Sequence, residues 1–166
     1  MHAAAQSLRP IYAYHTRKIS ELFGLMSASE LFFQPYGNVN HLVWELGHLM
    51  SVRNTLIKLL NPEEKLHLFP NERGLFGIGS KLEAPENYPT SDLLVEAFKI
   101  RGARVDQLLE TTTEARWGDP SPYPVPSMEP TVGGQLFGFM LHERMHLGEM
   151  VVLRNIIVKN RETIFA

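Results

Sequence analysis

The chain has 166 residues, 44% apolar and 20% charged, with a net charge of −2 and an isoelectric point near 6.4. This is the composition of a single globular domain over residues 1–166, and basic residues scattered as at Arg9, Arg53, Arg104 and Arg154 give no drive toward nucleic acid or an anionic membrane. There is no cysteine, which excludes disulfides, thiolate metal sites and a cysteine nucleophile, so any metal must be held by histidine and carboxylate.

Four stretches carry helical spacing of apolar residues. In the first, Leu8, Tyr12, His15, Ile19, Leu22, Phe23 and Met26 fall at steps of three and four; SASE at 27–30 looks like a helix end followed by a fresh cap, and QPYG at 34–37 closes the segment. The second runs from about Asn38 to Leu60, with Leu42, Val43, Leu46, Leu49, Met50, Leu56 and Ile57 on its apolar side, and ends at NPEE. The third starts at PTSDLL, where Ser91 or Thr90 can cap, and continues through Leu93, Leu94, Ala97, Phe98, Val105, Leu108 and Leu109. The fourth begins near Thr131 and reaches Lys159. It is apolar on nearly all sides at LFGFML yet bears His and Glu, as expected of a central helix beside a polar pocket.

Residues 61–90 and 117–130 are rich in proline, and no stretch reads as a strand. The expected fold is an all-α four-helix bundle. The short break at 34–37 makes the first two helices antiparallel neighbours, while the segment 61–90 is long enough to cross the whole bundle and let the second and third helices run parallel. The N-terminal MHAAAQSLRPIYAYHTRK lacks a charged-then-apolar signal layout and no segment approaches 18 uninterrupted apolar residues, so a cytoplasmic location is expected.

Four of the seven histidines lie in HLVWELGHLM (41–50) and HERMHLGEM (142–150). The second contains H-E-x-x-H. Residues four apart on a helix sit about 40° apart around the axis with a rise of ~6 Å, so His142 and His146 can turn one imidazole each to a single ion. Two core histidines bonded to neighbours are the alternative. A zinc-protease reading fails on its next requirement: Gly148 comes one place early, no third His follows, and the only glutamate after Glu149 is Glu162, close to the terminus. A third ligand is better sought upstream. His41 and His48 lie on one stripe but ~10 Å apart along it, too far to share an ion. His48 sits mid-helix, as His142 and His146 do, and matching depth favours it; His41 reads as a helix-end or pocket-rim residue.

VWELGHLMSVRN on the second helix, LFGIGSKLEAPENYPTSDLLVEAFKIRGARVDQLLE in the middle and HERMHLGEM on the last together resemble the DinB/YfiT-like superfamily, in particular the DinB_2 branch, over about residues 8–158. The resemblance implies an up-down-down-up four-helix bundle with a long crossover between helices 2 and 3. It also implies one divalent metal, commonly zinc or nickel, held by His48, His142 and His146, with positions left open for water and substrate as in a catalytic site. Relatives include low-molecular-weight-thiol S-transferases, a thiol-dependent isomerase and the N-terminal domain of ergothioneine-pathway sulfoxide synthases. A homodimer is also implied.

Such a metal would act as a Lewis acid on water or on a thiol, and without cysteine in the chain that sulfur must come from a small-molecule substrate. Glu143 is the candidate general base, although its position also lets it bond outward to a neighbouring helix. Glu45, three residues before His48, is the candidate orienter of that ring. His15 either lines the cavity or is a satisfied core histidine; Trp44 and Tyr88 are pocket wall or core. Three functions are consistent with this sequence: a metal-dependent transferase or hydrolase of small molecules, a metal-binding stress-related bundle without catalysis, and a structural bundle without metal.

Overall fold

The computed structural model describes residues 2–37, 39–123, 125 and 129–165. Asn38, where spacing starts the second helix, lies outside the described residues, as do four positions of the second proline-rich stretch. Among the described residues the chain is all-helical, with no strand beyond one isolated bridge, Pro120 to Thr131. The helices are α1 (Ala3–Phe23), α2 (Ala28–Leu31), α3 (Leu42–Leu60), α4 (Glu72–Phe76), α5 (Ser91–Thr111), α6 (Glu114–Gly118), α7 (Val132–Lys159) and α8 (Arg161–Ile164), with a 3-10 turn at Pro85–Asn87. The long ones, α1, α3, α5 and α7, are the four periodic stretches.

Side chains at the helix starts set the boundaries. His41 caps α3: its Nδ1 accepts the Trp44 N–H at 3.1 Å, so the helix begins at Leu42 rather than near residue 38. Thr90, of the two candidates, accepts from Leu93 at the start of α5, and Thr131 accepts from Gly134 at the start of α7. The fresh cap read in SASE is present, with the Ser27 N–H donating to Glu30 Oε2 at 2.7 Å.

Helix α1 packs on α5 and α7, and α3 packs on the same two. Two apolar clusters fill the interior. One joins Ile19 and Leu22 of α1, Leu42 to Met50 of α3, Leu94 and Phe98 of α5, and Leu147, Met150 and Leu153 of α7. The other joins Leu8 and Tyr12, Leu56 to Leu60, Val105 and Leu109, and Val132, Leu136 and Met140. The gap between them falls at the same level of all four helices and is polar. It holds His15, Arg53, Gly102 and Glu143, and both Arg53 and Glu143 are wholly buried. Arg53 donates to Glu143 through Nη2 at 2.7 Å and Nε at 3.2 Å, and to the Phe98 carbonyl through Nη1 at 2.9 Å. Gly102 makes room for this: a Cβ there would lie 2.3 Å from Arg53 Nη1.

The segment between α3 and α5 is fastened by a second buried pair. Glu72 at the start of α4 accepts from both terminal nitrogens of Arg101 at 2.8–2.9 Å and from Asn54 at 2.9 Å. This pins α4 against α3, which matters for the site.

Candidate metal centre

Helix α3 contributes Glu45 and His48, one turn apart on the side that meets α7, and α7 contributes His142 and His146. The pairing of the helices brings the three imidazoles together. His142 Nε2 lies 3.1 Å from His146 Nε2 and 3.4 Å from His48 Nε2. Two nitrogens bound at ~2.0–2.1 Å to one tetrahedral zinc are about 3.3 Å apart, so the three rings are close enough together to hold one ion. His41 is not part of it, being committed to the α3 cap with its ring against Phe32 and Tyr88.

The outer ring nitrogens are held unequally. His48 Nδ1–H donates to the Phe76 carbonyl at 2.9 Å, and His146 Nδ1–H donates to Glu45 Oε2 at 2.5 Å, with Glu149 Oε2 3.2 Å away. His142 Nδ1 is buried and has no partner among the described residues. Helical spacing puts Glu45 over His48, but the structure gives it to His146. His48 already has the Phe76 carbonyl, whereas Glu45 in the first turn of α3 faces α7. Asn40 holds the other carboxylate oxygen of Glu45 at 3.0 Å.

The segment between α3 and α5 braces His48 on two sides. The Trp44 indole stacks on its ring, with centroids 4.9 Å apart and planes within 4°, and Trp44 Nε1–H donates to Ser80 Oγ at 2.8 Å. Phe76 supplies the accepting carbonyl and lays its ring over Gly47, where a Cβ would come within 2.1 Å of Phe76 Cε1. Trp44 is thus a wall of the site, while Tyr88 packs on Phe32, His41 and Phe76.

Burial lowers the pKa of His48, partly opposed by the Phe76 carbonyl, and drives that of His142 down to about 4, helped by the neighbouring rings of His146 and His48. Both rings are therefore neutral near pH 7. Burial also works against a charged His146, but the hydrogen bond and charge of Glu45, with Glu149 and Glu143 behind, outweigh it and the net shift is upward.

Glu143, the residue that makes HERMH look like a protease, faces away from this chemistry. As the next residue after His142 it projects about 100° around the helix. Its two oxygens are occupied by Arg53, and His15 Nδ1 lies 3.2 Å from Oε1 without hydrogen-bond alignment. Burial alone would raise its pKa, yet the Arg53 guanidinium and His15 hold it below the usual carboxylate range. The outward-bonding alternative describes it; a general base needs a free oxygen at the reacting centre. His15 is a core histidine of this pair.

Arg53, Phe76, Ser80, Glu149 and Gly47 do not stand out in the sequence as site residues. Arg53 had a legible signal, since it continues the apolar stripe Leu46, Leu49, Met50, Leu56 and Ile57, where a charge demands a buried partner. The other four act through backbone atoms, packing or tertiary proximity.

A family profile described as the DinB superfamily matches residues 12–150. A crystal structure of a conserved protein from Enterococcus faecalis superposes with a TM-score of 0.69 over 96% of this chain and 99% of that one, at 16% identity, a level at which the likeness concerns the fold alone. No curated protein matches the sequence.

Proposed function

The chain belongs to the DinB superfamily, and on that premise we propose that it is a metal-dependent enzyme of small molecules, a thiol S-transferase or hydrolase, working through a divalent ion held by His48, His142 and His146. The observation that carries this reading is the convergence of three Nε2 atoms at 3.1 and 3.4 Å, with two of the rings already turned to present their lone pairs. Zinc or nickel bound there would supply Lewis acidity toward a water or a substrate thiol. The protein's own part is positional. Glu45 and the Phe76 carbonyl orient two ligands, Trp44 covers one face of His48, and the Arg53–Glu143 pair sets α3 against α7. We assign Glu143 to that structural task and leave no protein carboxylate as base.

The fold that accompanies this reading is an up-down-down-up four-helix bundle with its crossover between α3 and α5. It is supported by Gln6 and Arg9 of α1 meeting the later part of α5, at Leu109 and Asp106, and by Arg101 of α5 meeting Met50 of α3. A homodimer is supported by an apolar stripe left exposed on α7, Phe137, Leu141, Met145 and Val152. No helix among the described residues is long and apolar enough to cross a membrane. The reading takes the cytoplasm as location, a low-molecular-weight thiol as candidate cosubstrate, and neither nucleic acid nor membrane as partner.

The rival is a metal-binding, stress-related bundle without catalysis, favoured by the burial of His48 and His146, which are only 5% and 8% exposed. Metal content of the purified protein, followed by turnover of electrophiles with bacillithiol, mycothiol, glutathione or no thiol, separates these readings. Metal with thiol-dependent turnover supports a transferase, and metal with thiol-independent turnover a hydrolase. Metal with neither leaves the rival. Absence of metal, with His48→Ala having no effect on stability in added zinc, removes the site.

A further inference from the structure

A groove of about 650 Å³ runs along α7, walled on its other side by Tyr36, Val39 and Asn40 ahead of α3. Its charged residues are Glu45 and Glu149, and no lysine or arginine among the described residues lines it. Glu45 is buried, with one oxygen engaged by Asn40 at 3.0 Å and the other by His146. Glu149 is 54% exposed, with Oε2 3.2 Å from the same ring nitrogen of His146. An aromatic ring, that of Tyr36, stands 69% exposed on the same groove. Beyond Glu149 the lining of α7 is apolar, with Val152, Leu153 and Ile156. Ile156 lies seven residues past Glu149, ~10 Å along the axis, the reach of an alkyl chain of about six carbons with its headgroup. Gly148 widens the groove beside Glu149, since a Cβ there would meet no atom within 4 Å.

The lining discriminates among occupants. An anion meets two carboxylates. A small inorganic cation wants several oxygen ligands, whereas Glu45 has both oxygens engaged and the remaining wall is largely hydrocarbon. A neutral apolar molecule would strip water from the carboxylates and return nothing to them. An organic ammonium satisfies both halves, its N–H groups meeting the carboxylates and its chain the apolar wall. We propose that this groove binds a primary alkylammonium, with the ammonium on Glu149 and Glu45 beside the Tyr36 ring and a chain of about six carbons laid against Val152, Leu153 and Ile156. Glu45 also holds His146, so the cationic head sits next to the three histidines. Its role as the anchor of a substrate rests on the metal-site reading above; the binding itself does not.

The test is a titration of the whole 15N-labelled protein with hexylammonium, at neutral pH with a chelator present, followed by amide spectra. Methylammonium, hexanol and hexanoate at equal ionic strength are the controls. Hexylammonium should give saturable shifts centred on Tyr36, Asn40, Gly148, Glu149, Val152 and Ile156. Methylammonium, lacking the buried methylenes, should bind at least about tenfold more weakly, and hexanoate should give no shifts there. Glu149→Gln should weaken hexylammonium about threefold, and Tyr36→Leu by a similar factor. Gly148→Leu fills the groove with a better helix former, so it should abolish binding without lowering Tm. Hexanol or hexanoate binding as well as hexylammonium overturns the proposal, as does methylammonium of equal affinity or a Gly148→Leu protein that still binds. Met145 and Val152 also belong to the exposed stripe assigned above to a second copy. Affinity that falls as protein concentration rises would therefore give the groove to that copy and overturn the proposal too. Zinc binding is measured separately on the same protein. Zinc without hexylammonium binding defeats this subsite and leaves the metal site, while hexylammonium without zinc binding keeps the subsite and defeats the metal site.

Discussion

Replacing Glu143 with Gln separates a buried structural partner from a catalytic base. In the folded protein the Arg53 guanidinium is wholly buried and is paired, among the described residues, with the Glu143 carboxylate at 2.7 and 3.2 Å. Glutamine keeps the volume and one accepting oxygen but removes the charge, leaving a cation uncompensated in the polar layer between two apolar clusters. Breaking a buried pair from one side costs about 3–5 kcal/mol; with one hydrogen bond retained, the lower end is expected. For a domain of this size each kcal/mol moves the midpoint by about 2–4 °C, so a loss of about 3 kcal/mol lowers Tm by roughly 6–12 °C. The assay is urea unfolding with a chelator present, so that metal binding does not contribute, and the midpoint should fall with an unchanged slope. The double variant Arg53→Met with Glu143→Leu removes both charges and should recover much of the loss. A Glu143→Gln protein of wild-type stability that had nevertheless lost turnover would refute the structural assignment and restore the base.

The remaining predictions concern the braces of the triad and the cap of α3. Gly47→Ala should weaken zinc binding by about 10–100-fold in chelator competition, because its Cβ displaces Phe76, whose carbonyl orients His48; unchanged affinity would mean that this carbonyl is dispensable. Glu45→Gln, which keeps an acceptor but loses the charge beside His146, should cost about tenfold by the same measurement. Acid should destabilise the protein through His41, whose pKa burial depresses to about 4. The unfolded ring binds a proton below pH ~6.5 and the folded ring does not, so its contribution is full above that pH and is lost as pH falls toward 4. His41→Asn retains a capping side chain without titrating, and its stability should decline less over that window than the wild type's; parallel pH profiles would show that His41 plays no part.

Local pattern carried much of the architecture. The spacing of Leu42, Leu46, Leu49 and Met50, or of Leu94, Phe98 and Val105, records which helix face is buried, and one-sided burial is a property of the helix alone. Capping residues were legible for the same reason, since Thr90 and Thr131 act on backbone groups three residues away. Spacing starts α3 too early because His41, which is not among the usual capping residues, caps the helix through Nδ1.

The cluster of three histidines was recoverable because a metal site, if one is present, demands particular side chains at particular depths. His142 and His146 announce themselves four residues apart, and His48 follows from the level at which α3 must meet them. Which way each ring faces was not recoverable. The acceptor for His48 is a backbone carbonyl 28 residues away, the acceptor for His146 is a carboxylate 101 residues away, and the outer nitrogen of His142 has none among the described residues. Glu143 shows the same limit from the other side: its neighbours in HERMH pointed toward a metal, while Arg53, 90 positions earlier, holds its carboxylate elsewhere. By itself the sequence determined the helices, their buried faces and the donor atoms available. Only the tertiary structure decided the partners, because a hydrogen bond between side chains depends on distance and direction in space, and residues remote in the chain set both.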